Sequence, residues 1–351
     1  MSKRVLILLS IIVGAVFLIG LLCWLEEVKA NHLNGFERNF LYEIPIKKAE
    51  WSIDRSDWYV AGFTGEHIYV ANLEFLNYLI DVNIVEKETH RVMVHIGASW
   101  SKPRLGAALM VLDSSFYIAD GSSSIVFLGG IENWEVEKTD TVRTRFDIGI
   151  PISDSKIILR LVRNKAFMLG ISNGKTLNIN DSLLTQQDEG IMSMDGLMKY
   201  DRRQGRFVYT YFYRNQFIVC DSLLTVLYRG NTIDTVQYEK IKVGKPDRNG
   251  DVRMSAPPLV VNKQVAIDNA HLYIASGIRA DNEGRKANQQ NAVIDAYDLS
   301  NGKYLFSFYI PNEYQEKLSD FRIIGSRFIA VYSNKIVMYT FNVSKFDNTT
   351  Y

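Results

Sequence analysis

The sequence predicts an all-β chain, a six-bladed β-propeller preceded by one N-terminal transmembrane helix. Tyr (19) and Phe (18) are abundant while Pro is scarce (7), a balance that favours strands. A unit of two short strands also recurs about every 40 to 60 residues, the period of a propeller blade. We expect an anchor over residues 1–27, a short linker over 28–37, the propeller over 38–343 and a polar tail over 344–351.

The anchor is predicted from Val5–Leu25, an uncharged run of 21 residues. As a helix this run is roughly 31 Å long, which matches the hydrocarbon core of a bilayer. Lys3 and Arg4 precede it, so the positive-inside rule places the N-terminus in the cytoplasm. We therefore expect a single-pass protein of the cytoplasmic membrane, with its propeller in the periplasmic or extracellular space.

A cleaved or lipidated leader is the alternative to a retained anchor. Cys23 lies near the end of the apolar run, as a lipidated cysteine would. The bulky Leu22 stands directly before it, where a small residue is typical of cleavage sites. The retained anchor is the preferred interpretation, and both alternatives place the folded domain outside the cytoplasm.

The repeat consists of a short apolar strand, a polar turn and a stronger strand rich in Tyr, Ile and Val. The six predicted first strands are Trp58–Gly62, Leu109–Asp113, Phe146–Ile150, Leu197–Asp201, Leu259–Asn262 and Phe321–Gly325. The six predicted second strands are His67–Ala71, Phe116–Asp120, Ile157–Leu161, Phe207–Tyr211, His271–Ala275 and Phe328–Tyr332. Asn301-Gly302 between two further apolar runs adds a strong hairpin signal.

The last unit lacks a fourth strand, because only a polar tail follows Lys335–Phe341. Phe40–Ile46, between the anchor and the first unit, is a spare strand that can complete it. Such pairing closes the ring and removes exposed sheet edges. Two polar stretches, Lys245–Ala256 and Arg279–Gln290, are predicted surface loops, and loops of this length are usually functional or mobile.

The stretch Tyr297–Leu305 is similar to the strand-turn-strand phrase of six-bladed propellers of the NHL and TolB-like kind. More narrowly, the arrangement resembles a group of bacterial membrane-anchored propeller proteins of unassigned function. The segments Phe212–Val219 and Tyr228–Thr235 are most like that group. The resemblance covers nearly the whole chain and implies the fold, but not a chemistry.

The sequence contains no motif for a cofactor, a metal or nucleic acid. Its 40 Lys and Arg residues balance 39 Asp and Glu residues, whereas a nucleic-acid surface needs a basic stripe. His90 and His95 have an odd spacing, which sends side chains on a strand to opposite faces. Asp247, Asn249 and Asp251 lack the sixth-position glycine and twelfth-position acid of a calcium loop. Cys220 is predicted to be a small core residue.

Candidate binding residues come from the expected geometry of a propeller, whose first strands line a central channel. Arginine offers a planar fork of donors for a carboxylate or a sugar, so a polar aromatic turn containing one is a further candidate. We therefore select Asp113, Asp147, Lys199, Asp201, Tyr213, Arg214 and Asn215 as ligand-binding candidates.

The sequence favours a membrane-tethered binding or scaffold module that engages a protein or peptide through one propeller face. A tether favours this interpretation because it confines the search to the membrane surface and raises the effective concentration. The alternative is an enzyme that acts on a sugar or peptide in the central pocket. Converging carboxylates would favour the enzyme, and an aromatic exposed face would favour the binding module.

Overall fold

The computed structural model describes residues 11–22, 33–41, 45–54, 57–97, 107–187, 190–242, 244, 255–268, 270–313 and 316–341. Its strands are β1 (Ile46–Ser52), β2 (Trp58–Thr64), β3 (His67–Asn72), β4 (Tyr78–Asn83), β5 (Glu88–Met93), β6 (Ala108–Leu112), β7 (Ser115–Asp120), β8 (Ile125–Gly130), β9 (Val136–Thr141), β10 (Ile148–Ser153), β11 (Lys156–Arg163), β12 (Ala166–Ser172), β13 (Leu177–Asn180), β14 (Gly196–Asp201), β15 (Arg206–Tyr211), β16 (Gln216–Cys220), β17 (Val226–Asn231), β18 (Asn262–Asp268), β19 (His271–Ser276), β20 (Asn291–Asp298), β21 (Tyr304–Pro311), β22 (Asp320–Ile324), β23 (Arg327–Val331) and β24 (Lys335–Thr340). The helical segments are α1 (11–22), a 3₁₀ turn (Ile191–Met194) and α2 (Arg285–Gln290).

The strands form six antiparallel sheets of four strands each, and each sheet is one blade. Blades one to five are consecutive runs, from β2–β5 to β18–β21, and blade six combines β22–β24 with β1. The inner strands contact one another in the order β2, β6, β10, β14, β18, β22 and back to β2. The predicted all-β, six-bladed propeller is therefore confirmed.

The two ends of the ring differ in their connections. We call turn face the end that carries the turns between inner and second strands, at residues 65–66, 113–114, 154–155, 202–205 and 325–326. We call loop face the opposite end, which carries the connections between blades and the loops between second and third strands, such as residues 212–215 and 277–290. Every inner strand runs from the loop face to the turn face.

The strand positions follow the predicted repeat with two displacements at inner strands. β10 begins at Ile148, two residues after the predicted start, and β18 begins at Asn262, where the predicted strand was to end. Leu259 is half-exposed, whereas Asn262 is buried and its Nδ2 donates to the carbonyls of Tyr211 and Arg214. The chain therefore enters the core at Val261, which is fully buried one residue before β18 begins.

The closing strand is not the predicted Phe40–Ile46. β1 begins at Ile46 and pairs antiparallel with β24, so the expected closure is present about six residues later. Phe40 lies on blade five instead, where it stacks on Tyr309 at 4.5 Å and forms a parallel bridge with Ser307. The reason is the position of Trp51 in β1, because its side chain is buried between blades six and one.

Two other predicted segments have a different outcome. The predicted loop Arg279–Gln290 contains α2, a helix of six residues without a buried side chain. Most of the predicted loop Lys245–Ala256 lies outside the described residues.

The predicted membrane span Val5–Leu25 overlaps α1, which covers 11–22, and otherwise lies outside the described residues. Within the ranges given above, no helix combines the length and apolar character needed to cross a membrane.

The core consists of apolar layers between neighbouring blades, as expected for sheets that pack face to face. The largest layer, between blades five and six, contains Phe306, Phe308, Phe321 and Phe328. Some glycines lie where neighbouring blades approach closely. A Cβ atom on Gly62 of β2 would lie 2.1 Å from the carbonyl oxygen of Val111 in β6, so only glycine fits this crossing.

Candidate functional site

Charge is distributed unevenly around the central channel. The inner strands β2, β6 and β10 contain no Asp, Glu, Lys or Arg residue. The inner strands β14, β18 and β22 each carry one acidic and one basic residue, namely Lys199 and Asp201, Lys263 and Asp268, and Asp320 and Arg322. The wall of the channel is therefore apolar over three blades and charged over the other three.

Lys199 and Arg322 lie in the middle of this charged wall. At about 3.3 Å per strand residue, Lys199 is about 10 Å and Arg322 about 7 Å from the loop-face end of its strand. Both side chains are half-buried, and neither makes a hydrogen bond or an ion pair with the described part of the chain. Burial, assisted by repulsion from Arg322, lowers the pKa of Lys199 to about 8. Burial likewise lowers the pKa of Arg322.

Asp320 stands above these two cations, at the loop-face end of β22. The residue is 5% exposed, and its Oδ2 accepts a hydrogen bond from the backbone amide of Val60 at 2.9 Å. Its Oδ1 is buried and has no hydrogen-bond partner among the described residues. The nearby Tyr59 hydroxyl bonds to the backbone of Leu109, at 2.8 Å to its nitrogen and 2.9 Å to its oxygen. One carboxylate oxygen is therefore buried without a donor among the described residues.

The predicted candidates Asp113 and Asp201 lie at the turn face. Asp113 ion-pairs with Arg202, which joins the turns of blades two and four although blade three separates them in the ring. This pair lies across the turn-face mouth of the channel. Asp201 accepts a hydrogen bond from the amide of Arg203 at 2.9 Å and stabilises the β14–β15 turn. Burial raises the pKa of the neighbouring Asp268 to about 6.

Asp147 lies at the loop-face end of β10, within a buried network. The guanidinium of Arg160 donates to Asp147 at 2.6 Å and to Asp195 at 2.7 Å, and it also lies 4.0 Å from the ring of Phe167. Burial alone would lower the pKa of Arg160, but these acids and Tyr209 raise it. Asp147 is thus part of the contact between blades three and four.

Tyr213, Arg214 and Asn215 form the β15–β16 loop on the loop face. The Arg214 guanidinium is 3.5 Å from the ring of Tyr211, and it donates to the carbonyls of Ser193 and Thr185 at 2.8 and 2.7 Å. Asn215 Nδ2 donates to the carbonyl of Asp234 at 2.6 Å. These two side chains hold neighbouring loops together, and only Tyr213 of the three is partly exposed.

The structure therefore does not gather the seven candidates at one place. Lys199 is the only one of them in mid-channel, and it lies with Arg322 and Asp320, which sequence reasoning missed. The available signal was the alternation in β22, where Asp320 and Arg322 interrupt an apolar inner strand with period two.

A groove of about 430 Å³ lies on the loop face, where blades four and five meet the segment before the propeller. Its walls are Leu33, Asn34, Thr235, Val236, Gln237, Tyr238, Lys240, Leu259, Gly277, Ile278 and Arg279. Leu33 is 67% and Tyr238 70% exposed. The groove thus combines apolar side chains with the cationic Lys240 and Arg279.

A buried arginine fastens the segment before the propeller to blade five. Arg38 donates to Asp295 through Nε at 2.7 Å and Nη2 at 2.9 Å, and it also contacts Glu283 and the carbonyl of Ile278. Burial would lower the pKa of Arg38, but Asp295 and Glu283 raise it. This clamp places Leu33 and Asn34 on the wall of the groove.

Among the described residues, no group of three or more His, Cys, Asp or Glu side chains is arranged to hold a metal ion. His67 pairs with Asp81 at 2.8 Å, and His95 lies in a bridge to Glu135. The positions 247, 249 and 251 lie outside the described residues.

The class defined by this architecture is a six-bladed β-propeller. No family model and no curated protein matches the chain. Among solved structures, a member of the DUF4221 family from Bacteroides vulgatus has a TM-score of 0.54 and 12% identity, over 87% of this chain and 99% of that one. The propeller domain of Cps50 (Swd1) from Myceliophteria thermophila has a TM-score of 0.46 and 7% identity, over 84% of this chain and 100% of that one. The computationally designed Ika8 protein has a TM-score of 0.43 and 9% identity, over 83% and 98%. At these identities the likeness extends to the fold alone.

Proposed function

We propose that this chain is a membrane-tethered binding module that holds a peptide segment of a partner protein in the loop-face groove. The observation that carries the proposal is the groove itself, because it offers about 430 Å³ between exposed apolar side chains and cationic groups. Exposed apolar and aromatic surface of this kind is typical of protein-binding sites.

The chemistry of the walls selects the peptide. Tyr238 and Leu259 can pack against an apolar side chain, since both are at least 39% exposed. Lys240 and Arg279 bring positive charge to the same walls. Complementary charge steers association and fixes register. The expected ligand is therefore a short peptide with an apolar anchor and an acidic residue.

The predicted tether supports this choice of face. Leu33 lies in the groove wall and follows Leu25, the end of the apolar run, by eight residues. At a maximum of about 3.5 Å per residue, the intervening chain spans at most about 30 Å. A tether of this length keeps the loop face near the membrane, where the effective concentration of a membrane-bound partner is high.

The test uses the full chain in detergent and fluorescent ten-residue peptides that carry one Leu or Phe anchor. We expect peptides with Glu beside the anchor to bind more tightly than the same peptides with Lys, measured by fluorescence anisotropy. Tyr238→Ala should weaken binding at least fivefold, and Lys240→Glu should reverse the charge preference.

Leu223→Ser is the matched control. Leu223 is 66% exposed like Tyr238, but it lies in the β16–β17 turn away from the groove. The control should bind as the parent protein does. Binding that is indifferent to Tyr238→Ala and Lys240→Glu would refute the groove as the peptide site.

A further inference from the structure

The central channel carries two like charges on inner strands of nearby blades. Lys199 and Arg322 project from inner strands of blades four and six, with β18 between them in the ring. Neither has a hydrogen bond or ion pair in the part of the chain that the structure describes. Other buried cations of this protein are paired, as Arg38 is with Asp295 and Arg160 with Asp147. Burying two like charges without a partner is costly, and a fold retains such charges for a ligand more readily than for stability.

Asp320 adds a second, independent observation. Its Oδ2 accepts the amide of Val60, but its buried Oδ1 has no donor among the described residues. A buried acceptor without a partner destabilises the protein, and a hydrogen bond from a ligand can offset that cost. The carboxylate also interacts electrostatically with both Lys199 and Arg322, so the three groups share one region of the channel.

We infer that the central channel binds a small oxyanion between Lys199 and Arg322, and that the ligand carries a hydrogen-bond donor for Asp320. Arg322 supplies a planar fork of donors, and Lys199 supplies a compact positive charge. Asp320 repels a carboxylate that has no donor. It can accept a hydrogen bond from a hydroxyl group that is attached to the oxyanion. Two sources share this chemistry, namely a 2-hydroxy acid and dihydrogen phosphate, each with one negative charge and a hydroxyl donor.

The apolar half of the channel contributes selectivity. The inner strands β2, β6 and β10 offer no charged residue, so a ligand with a second charge would have no partner on that side. Discrimination against such ligands arises from the charge left unpaired. A singly charged ligand is therefore preferred over a dicarboxylate.

The experiment is isothermal titration of the full chain in detergent with lactate, acetate and inorganic phosphate at constant ionic strength. We expect lactate or phosphate, or both, to bind at least tenfold more tightly than acetate, which lacks a donor. Lactate binding alone identifies the hydroxy acid, and phosphate binding alone identifies dihydrogen phosphate. Equal affinity for lactate, acetate and phosphate, or binding of none of them, overturns the inference.

Three variants locate the site. Lys199→Met and Arg322→Met should each reduce the affinity at least tenfold. Asp320→Asn should reduce the advantage of lactate over acetate, because an amide no longer repels the bare carboxylate. Lys165→Met is the matched control, since Lys165 is an exposed lysine in the β11–β12 turn and not on an inner strand, and it should change the affinity less than twofold.

Thermal unfolding separates a binding site from damage to the fold. Removing an unpaired buried charge should leave the Tm of Lys199→Met and Arg322→Met unchanged or higher, while binding is lost. A lower Tm in both variants, together with unchanged affinity, would mean that the two cations serve the fold and would overturn the site. The groove variants Tyr238→Ala and Lys240→Glu should leave oxyanion binding intact, so the two proposals fail separately.

Discussion

At the scale of single residues, the charges that this protein withdraws from solvent, wholly or in part, are of two kinds. Arg38 and Arg160 are enclosed and fully paired, whereas Lys199 and Arg322 lie in the channel without an ion pair among the described residues. A paired charge becomes destabilising when its partner is removed, and an unpaired charge is destabilising while it stays. Substitutions of the two kinds should therefore act in opposite directions.

For the paired kind, Arg38→Met should lower the free energy of unfolding by about 3–5 kcal/mol, because it leaves Asp295 and Glu283 as uncompensated buried charges. Urea unfolding measures the change. Lys47→Met removes an exposed lysine paired with Glu50 and serves as the control, with a loss below about 1 kcal/mol. A small effect of Arg38→Met would contradict the role of the clamp.

For the unpaired kind, the lowered pKa of Lys199 predicts that stability depends on pH. Its pKa is about 8 in the folded protein and 10.5 ordinarily, so the unfolded state binds more protons between these values. The free energy of unfolding should therefore rise from pH 8 toward pH 10 through this residue. Lys199→Met should remove this rise, as measured by unfolding at pH 7.5 and 9.5.

Oxyanion affinity should fall over the same interval, because the ligand needs the protonated amine. An increase in affinity with pH would contradict the channel site.

Cys220 illustrates how burial suppresses reactivity. It is fully buried, and burial raises the pKa of its thiol to about 12. In a Cys23→Ser background, we expect a thiol reagent at pH 8 to label Cys220 only through opening of the fold, since the thiolate is the reactive form. The labelling rate should follow the unfolding equilibrium across urea concentrations. Rapid labelling in the absence of urea would contradict this placement.

At the scale of elements, the closure of the ring depends on β1. Trp51 of this strand is buried between blades six and one, and its Nε1 donates to the carbonyl of Lys87 at 3.0 Å. Trp51→Ala should cost about 3–5 kcal/mol, because it opens a cavity and removes the hydrogen bond to the carbonyl of Lys87. Ile46→Ala, at a 59% exposed position of the same strand, should cost less than about 0.5 kcal/mol. Urea unfolding of both variants measures the difference, and equal losses would contradict the anchoring role of Trp51.

The same elements show what the sequence could predict. The second strands were located well, since β3, β7, β11, β15 and β19 each contain the predicted segment, because buried aromatic and branched residues alternate there. The closing strand was misplaced, because Phe40–Ile46 is the more apolar segment, whereas Ile46–Ser52 carries two lysines and a glutamate and buries only Trp51. The strand that contains Trp51 is selected by the apolar layer between blades six and one, which receives this side chain and is formed only in the folded ring.

The candidate site was predicted less completely than the fold. Lys199 was selected because first strands line the channel, but Arg322 and Asp320 were not, although they lie on a strand that was correctly recognised. Arg214 was selected as a ligand-binding group, yet its donors are used by the carbonyls of Ser193 and Thr185. Local sequence gives the position of a side chain along a strand, whereas its partners come from other blades, far away in the chain.

At the scale of the whole molecule, the ring separates the two proposed binding regions. The groove lies on the loop face, and the Asp113–Arg202 pair joins the turns of blades two and four at the turn face. If the channel ligand enters from the loop face, both ligands approach the protein from the side that we place near the membrane. The orientation of the ring is therefore the property on which the proposed function depends most directly.

That orientation can be measured in lipid vesicles. The predicted tether ends at Leu25, and the chain to Leu33 spans at most about 30 Å, so the loop face should lie closer to the bilayer than the turn face. A dye attached at Tyr238→Cys should transfer energy to a lipid-bound acceptor more efficiently than the same dye at Val85→Cys, which is 53% exposed in the β4–β5 turn. Both variants carry Cys23→Ser. An inner strand of seven residues is about 20 Å long, which is enough separation to distinguish the faces. Equal transfer from both positions would contradict a fixed orientation, and stronger transfer from position 85 would place the groove on the side away from the membrane.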